Sequence, residues 1–288
     1  MPQIDSIQEL GQVFLPMKLN NRSEPYYFIM DTGAGMSAVE EKVANELRLP
    51  VMGRTELAGT AGILDVPLKQ IDAVAPQRRG YPVSILTHHG LLATTQDLSQ
   101  FRVPLPAPFE AGLLGNDYLR HFIVEVDFLP PSVQLSRPYG YTPAGVNPEK
   151  FLPFRLDRSK IMRIQAKLDD WLDVEVRVDS GAATLTSVAW PYLNITTFTW
   201  RQLCEKRPDY KFHDMVIARG MGGRVELQIA NIESLDLGPL KFYNPRVVVQ
   251  PEQGIFASPN AVGFVSMNLF EPGQWVTFDY PAGRIYIP

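Results

Sequence analysis

The chain has 288 residues, of which 45% are hydrophobic and 20% charged, and its formal net charge is −4 at pH 7. This composition excludes a disordered chain, and the lack of a basic excess argues against a nucleic-acid-binding protein. The single cysteine, Cys204, excludes an intramolecular disulfide. The 25 prolines and 21 glycines are spread along the chain and indicate many turns and short strands, so we expect a mainly β fold.

The amino terminus, from Met1 to Ser6, has neither the basic region nor the apolar region of a signal peptide. No apolar run in the sequence approaches the roughly 18 residues that a membrane span requires. We therefore expect no membrane span and favour the cytoplasm. The cell envelope is the alternative for a chain from which a signal was removed.

The first half begins with two predicted strands, Pro16–Leu19 and Phe28–Met30, joined by a turn that starts at Asn20-Asn21. The second strand leads directly into Asp31-Thr32-Gly33-Ala34. A helix is predicted over Ala38–Leu47, because apolar residues recur there on one helical face.

Farther along, a glycine turn at Gly59–Gly62 leads into a strand of alternating polarity. The stretch Thr87–Pro108 is interpreted as an insertion, and the pair His88-His89 as part of a solvated loop. No third ligand is spaced to complete a metal site with this pair, so we expect neither a metal nor another cofactor. Leu113-Leu114-Gly115 follows, with a one-turn helix predicted over Asn116–His121.

The second half repeats this order of segments, and it carries its own signature, Asp179-Ser180-Gly181-Ala182. Helices are predicted around Thr199–Glu205 and at Met267–Phe270. The matched pairs are Pro16–Asn21 with Gln165–Asp170, Phe28–Ala34 with Val176–Ala182, Gly59–Val66 with Gly220–Leu227, Gly112–Leu119 with Gly263–Phe270, and Val124–Phe128 with Val276–Tyr280.

A single Asp-(Ser/Thr)-Gly tripeptide occurs by chance in many chains, but five matches in the same order indicate two homologous halves. The stretch Arg137–Gly145 is rich in proline, glycine and tyrosine and is the predicted junction. We therefore predict two domains, residues 1–146 and residues 147–288. Two repeats cannot form a solenoid, but they can form two lobes that share a cleft.

These features resemble the aspartic peptidases, and each half is similar to a retropepsin-type protomer, the kind that dimerises in retroviral proteases. The first half carries the resemblance in Asp31-Thr32-Gly33-Ala34, in the glycine turn Gly59–Gly62 and in Leu113-Leu114-Gly115. Because two such halves are fused, the chain is also similar to bilobal pepsin. The resemblance spans about Val13 to Ile287 and implies two β-barrel lobes with short helices and an active-site cleft between them.

The resemblance implies an aspartic endopeptidase in which Asp31 and Asp179 hold one water between them. The ionised carboxylate takes a proton from the water, while the protonated carboxyl polarises the scissile carbonyl. Like charges so close cannot both ionise easily, so the pair shares a proton and titrates as a unit. No separate role is assigned to either aspartate.

The other signature residues are expected to support this dyad. The glycines allow a sharp turn and close approach to the opposite loop. The hydroxyl residues are expected to hydrogen-bond across the interface, as the family's matching hydroxyls do. Some relatives place a hydroxyl where this chain has alanine, and because alanine cannot donate to the carboxylate we expect a mildly acidic pH optimum. The six supporting residues are Thr32, Gly33, Ala34, Ser180, Gly181 and Ala182.

The two glycine turns are expected to act as flaps that close over an extended peptide or protein substrate. Such a substrate would bind through strand-like main-chain hydrogen bonds. A flap from each half would cover the cleft from two sides, as in a retroviral dimer. The flap residues are Gly59, Thr60, Ala61, Gly62, Gly220, Met221, Gly222 and Gly223.

Two departures from the family pattern keep an alternative open. Ser266 stands where the second apolar-apolar-Gly motif requires glycine, and neither flap carries the tyrosine of pepsin. The alternative is a catalytically impaired protein that binds peptides or serves as a scaffold on the same fold. We expect a monomer with an intramolecular cleft, because a short linker gives the halves a high effective concentration for each other. A homodimer of tandem chains is the other arrangement.

Overall fold

The computed structural model of the chain describes residues 3–9, 11–20, 22–99, 110–139, 146–182 and 193–288. Within these ranges the protein is mainly β, as predicted. Most of the expected junction and the end of the expected insertion, residues 140–145 and 100–108, lie outside the described residues. We call the chain up to Ser136 the N half and the chain from Val146 onward the C half.

The strands, in chain order, are β1 (Gln3–Ile4), β2 (Ile7–Glu9), β3 (Gln12–Leu19), β4 (Tyr26–Met30), β5 (Ala38–Glu40), β6 (Val51–Ala58), β7 (Ile63–Arg78), β8 (Tyr81–Pro82), β9 (His88–Gln96), β10 (Glu110–Leu114), β11 (Ile123–Phe128), β12 (Pro131–Ser136), β13 (Phe151–Pro153), β14 (Arg155–Leu156), β15 (Met162–Leu168), β16 (Leu172–Asp179), β17 (Leu193–Thr196), β18 (Asp214–Gly220), β19 (Gly223–Asn231), β20 (Ser234–Asp236), β21 (Lys241–Tyr243), β22 (Arg246–Gln250), β23 (Gly263–Ser266), β24 (Trp275–Asp279) and β25 (Arg284–Tyr286). The helices are α1 (Glu41–Glu46), α2 (Asn116–Leu119) and α3 (Thr197–Lys206), with 3₁₀ turns at Ser84–Leu86, Gly254–Phe256 and Met267–Gly273.

The described strands form three sheets. One sheet contains only N-half strands, in the order β2-β3-β4-β10-β5-β9-β7-β6, with β8 paired to β7. A second contains only C-half strands, in the order β18-β19-β22-β17-β23-β16-β15-β20-β21, with β14 paired to β15. The third takes strands from both halves, in the order β1-β12-β11-β24-β25-β13, and therefore joins them.

The shared sheet pairs the two halves through matched residues. Strands β11 and β24 are antiparallel, with Glu125 opposite Thr277 and Val124 opposite Phe278. Glu125 and Thr277 occupy the same position in the two sequence repeats, so the pairing is close to two-fold symmetric. Phe278 lies in the continuous apolar core, which includes side chains from both halves.

Each half holds its signature strand beside the later apolar strand. Met30 on β4 pairs in parallel with Leu114 on β10, and Val178 on β16 pairs in parallel with Val265 on β23. This register places Gly115 and Ser266 at matching positions. A Cβ at Gly115 would lie 2.6 Å from the carbonyl carbon of Met36, so the N half requires glycine there.

Two local predictions were wrong. Helix α1 begins at Glu41 and not at Ala38, because Ala38–Glu40 form strand β5 and pair with β9 and β10. The pair His88-His89 begins strand β9 and is not in a loop. The centroids of the His88 and His121 rings lie 4.9 Å apart. His88 therefore packs against the fold, although the segment around it is polar in sequence.

The C-half helix predicted around Thr199–Glu205 is present as α3, where the Thr196 side chain accepts a hydrogen bond from the Thr199 amide and caps the helix. The turn predicted at Met267–Phe270 is a 3₁₀ turn that continues to Gly273. None of the described helices is long and apolar enough to cross a membrane.

Candidate active site

Asp31 and Asp179 lie at the ends of β4 and β16, where each signature strand turns. The Gly33 amide donates to Asp31 Oδ1 at 2.9 Å. The amides of Gly181 and Ala182 both donate to Asp179 Oδ1 at 3.0 Å. Each turn therefore fixes its own carboxylate through the backbone.

The glycine of each signature packs against the aspartate of the other. A Cβ at Gly33 would lie 2.4 Å from Asp179 Cγ, and a Cβ at Gly181 would lie 2.4 Å from Asp31 Cγ. No side chain fits at either position without displacing a carboxyl group. The structure thus brings the two aspartates, distant in sequence, face to face across the boundary between the halves.

A reciprocal set of hydrogen bonds between Thr32 and Ser180 holds the two turns together. Thr32 Oγ1 donates to the Val178 carbonyl at 2.7 Å and accepts from the Ser180 amide at 3.0 Å. Ser180 Oγ donates to the Met30 carbonyl at 2.6 Å and accepts from the Thr32 amide at 3.0 Å. Both hydroxyls are buried and use a donor and an acceptor, so the relative position of the two turns is strongly determined.

Burial, followed by repulsion from Asp179, raises the pKa of Asp31 well above its ordinary value. Burial also raises the pKa of Asp179, although the Ala182 and Gly181 amides and the charge of Arg177 lower it. The pair therefore retains a proton at a pH where isolated aspartates are ionised. Such a pair can act as an acid and a base at once.

A further hydrogen-bonded link, which the sequence did not suggest, ties the C half to the turn after Asp31. Tyr280 donates its hydroxyl hydrogen to Asn116 Oδ1, and Asn116 Nδ2 donates to the carbonyls of Thr32 at 2.7 Å and Ala34 at 3.1 Å. Tyr280 is buried, which raises the pKa of its phenol, and the charge of Asp31 raises it further. In the sequence, Tyr280 differs from the matching residue of the first half, Phe128, only by its hydroxyl group, and nothing there indicates the partner of that hydroxyl.

The two predicted glycine turns are the tips of two β-hairpins. The N-half hairpin is β6–β7 with its tip at Gly59–Gly62, and the C-half hairpin is β18–β19 with its tip at Gly220–Gly223. The tips touch, because the Ala61 amide donates to the Met221 carbonyl at 2.9 Å.

Close backbone packing surrounds this contact. A Cβ at Gly222 would lie 2.5 Å from the Gly62 nitrogen, and a Cβ at Gly59 would lie 2.2 Å from Met221 Cβ. The Ile255 amide, from a C-half loop, donates to the Gly59 carbonyl at 3.0 Å. The structure therefore brings the predicted tip residues of both halves together, including Thr60, whose Oγ1 would lie 1.7 Å from a Cβ at Gly220.

An apolar cluster connects the C-half hairpin with the signature turn. Phe256 and Phe264 are buried in it beside Val225 of the hairpin, and Ala182 of the signature and Ala61 of the opposite tip pack against it. The cluster therefore places apolar side chains next to Ala182, three residues after Asp179. Apolar surroundings favour the neutral form of a carboxyl group.

Among the described residues, no group of three or more histidine, cysteine, aspartate or glutamate side chains is arranged to hold a metal ion. Cys204, on α3, is partly buried, and burial raises the pKa of its thiol. The aspartate pair therefore remains the candidate site in the part of the chain that the structure describes. No protein-family model matches this sequence, and no curated protein is significantly similar to it.

Proposed function

We propose that the protein is an aspartic endopeptidase in which Asp31 and Asp179 form one catalytic dyad. The observation that carries this proposal is the reciprocal bonding of Thr32 and Ser180, which holds the two turns, and the carboxyl groups on them, in a defined relation. Two facing carboxyls with a shared proton can hydrolyse a peptide bond with neither a metal nor a covalent enzyme intermediate.

The reaction follows from this arrangement. The ionised carboxylate removes a proton from water while the water oxygen attacks the scissile carbonyl carbon, and the protonated carboxyl gives its proton to the carbonyl oxygen. The resulting gem-diol collapses as its nitrogen takes the proton from one carboxyl, the other carboxylate removes a proton from a gem-diol hydroxyl, and the C–N bond breaks. One carboxylic acid and one amine leave, and the dyad returns with its single proton.

The finer architecture belongs to the same proposal. The N half and the C half, predicted as residues 1–146 and 147–288, are two retropepsin-like lobes that share the six-stranded sheet. The two hairpins are flaps, and their contacting tips separate to admit an extended peptide and then close over it. Closure keeps bulk water away from the dyad and its one bound water, and it strengthens the electrostatic interactions there.

The test is cleavage of a mixed peptide library between pH 3 and pH 8 by the wild-type chain and by the D31N/D179N double variant. We expect cleavage by the wild type, with a maximum in the mildly acidic range, and none by the double variant. Equal cleavage by both proteins would mean that a contaminant or another site is responsible. A cleavage rate that still rises as the pH falls to 3 would contradict the mildly acidic optimum expected from Ala34 and Ala182.

A second candidate function, peptide binding without cleavage, is favoured by Ser266. Its side chain is fully buried, and its hydroxyl has no hydrogen-bond partner among the described residues, at a position where the N half uses glycine. A folded wild-type chain that binds library peptides but cuts none between pH 3 and pH 8 would establish this candidate instead.

A further inference from the structure

The face of the C-half sheet that carries Asp179 also carries charged residues. Side chains alternate along β16, so Arg177 projects from the same face as Asp179. Its cross-strand partner on β15 is Arg163, which places two arginines directly opposite each other. Like charges in this position repel, so the pair needs negative charge nearby.

Only one of these two arginines has a carboxylate partner among the described residues. Arg163 contacts Asp157 Oδ2 through both Nε at 2.8 Å and NH2 at 2.6 Å. The other oxygen, Asp157 Oδ1, accepts from the amides of Ser159 and Ile161. Asp157 is therefore fully used, with no oxygen left for Arg177.

The next carboxylate on the same face is used as well. Glu175 receives hydrogen bonds from Arg155 at 2.7 and 2.8 Å and pairs with it. Arg177 makes no ion pair with any described residue, and its Nε is buried without a partner. Burial and repulsion from Arg163 lower the pKa of Arg177, and the charges of Asp157 and Asp179 oppose this shift, so the arginine remains charged at any physiological pH.

The N half has the opposite chemistry at the matching positions. Ile29 stands two residues before Asp31, as Arg177 stands two residues before Asp179, and its cross-strand partner is Phe14. Both apolar residues are buried, at 7% and 0% exposure. The two sides of the dyad therefore offer one apolar surface and one cation that makes no direct ion pair with a described residue, although the charges of Asp157 and Asp179 act on it.

We propose that Arg177 is a specificity-determining residue that binds an acidic side chain next to the scissile bond, while the side of Ile29 receives an apolar one. This inference rests on the proposed function. In an extended substrate the two residues that flank the scissile bond point in opposite directions, so one faces each half. A glutamate or aspartate on the C-half side supplies the direct ion pair that Arg177 lacks among the described residues.

The test uses peptides based on one sequence that the wild type cuts, with Glu, Gln or Leu at each of the two flanking positions. Between pH 5.5 and 6.5 free glutamate is ionised. We expect the Glu peptide to exceed the Gln peptide in kcat/KM by about tenfold at one position, as a charge-assisted hydrogen bond allows, and not at the other.

Variants assign the preference to its residue. R177I, which copies Ile29, should bring the Glu/Gln ratio of kcat/KM to about one or below and make the Leu peptide the best of the three. R177K, which keeps a positive charge, should retain part of the preference for Glu. R201I, which removes an exposed arginine on α3 that pairs with Glu252 and not with a carboxylate beside Arg177, is the matched control and should keep the wild-type ratio. A ratio near one at both positions in the wild type, or a ratio that survives R177I, would overturn the proposal.

A failure of the proposed function is distinguishable from a failure of this inference. If the wild type cuts no peptide, the endopeptidase assignment fails, and the same Glu and Gln peptides are compared by fluorescence anisotropy. Tighter binding of the Glu peptide that is lost in R177I would then support the acidic subsite on a non-cleaving protein. Equal binding would refute it.

Discussion

Beside Asp31, strands β3 and β4 place Phe14 and Ile29, whereas beside Asp179 the matching strands β15 and β16 place Arg163 and Arg177. The turns that carry the aspartates differ far less, because each uses a hydroxyl residue and a glycine in the same roles. Only the two aspartates and the residues that support them must therefore be alike in the two halves. The surrounding faces are free to differ, and under the proposed function they are where peptides of different sequence would be distinguished.

The largest expected effect comes from breaking the symmetric part. Replacing Thr32 by Val removes a buried hydroxyl that serves the Ser180 amide and the Val178 carbonyl. We expect a loss of about 2–4 kcal/mol in the free energy of unfolding, because two buried polar groups lose their partner. Urea denaturation measures this loss, and peptide cleavage should fall by at least about tenfold as the dyad loses its alignment.

Two more variants complete this test: S180A is the equivalent change on the other side, and S132A is the control. S180A should resemble T32V, since Ser180 has the same two roles on the other side. Ser132 is also buried, and it donates to Asp127 Oδ2 at 2.7 Å in the shared sheet, away from the dyad. S132A should reduce stability but leave cleavage unchanged. A T32V protein as stable and active as the wild type would refute the role of the reciprocal bonds.

The next effect concerns the asymmetric link between Tyr280 and Asn116. Y280F leaves Asn116 Oδ1 buried without its donor, so we expect a loss of about 1–2 kcal/mol in the free energy of unfolding and reduced kcat with little change in KM. F128Y, at the matching position of the repeat, is the control and should change neither. Equal effects of Y280F and F128Y would mean that the link does not position the Asp31 turn.

Stability should also depend on pH through Asp31. Its pKa is raised in the folded protein, by burial first and by Asp179 second, so the folded state holds the proton more tightly than the unfolded state does. The stability that this proton supplies is complete below the ordinary aspartate pKa and is lost as the pH rises through the raised value. D31N should therefore melt a few degrees above the wild type at neutral pH, with the difference vanishing at low pH.

A smaller change is expected from giving the dyad the hydroxyls that it lacks. In A34S/A182S each serine can donate to its neighbouring carboxylate and favour the ionised form. We expect the acid limb of the kcat profile to move down by up to about one pH unit. A profile that does not move would show that these positions do not face the carboxylates.

The smallest effect is expected from S266G, which makes the C half copy Gly115. The change removes a buried hydroxyl without a partner among the described residues, but Ser266 has an ordinary extended backbone with φ −78°. We expect stability to change by less than about 1 kcal/mol and cleavage to change little. A large gain in activity would instead mean that Ser266 impairs the wild-type protein.

Some of this arrangement could be predicted from the sequence and some could not. The dyad and its hydroxyl support are local patterns that occur twice, so each repeat served as evidence for the other. The contrast between Ile29 and Arg177 depends on strand register, which sets the face and the cross-strand partner of each residue. Tyr280 reaches Asn116 from the opposite half, and no local pattern reports such a contact. The strand at His88 was missed because its stability comes from pairing with β7 and β5.

The most direct test of the central claim is a double-mutant cycle on one cleaved peptide with wild type, D31N, D179N and D31N/D179N. If the aspartates form one dyad, each single variant should lose nearly all of kcat, by at least about a thousandfold, and the double variant should lose no more. If the two losses multiply, or if one single variant keeps substantial activity, the two halves do not share a single catalytic site.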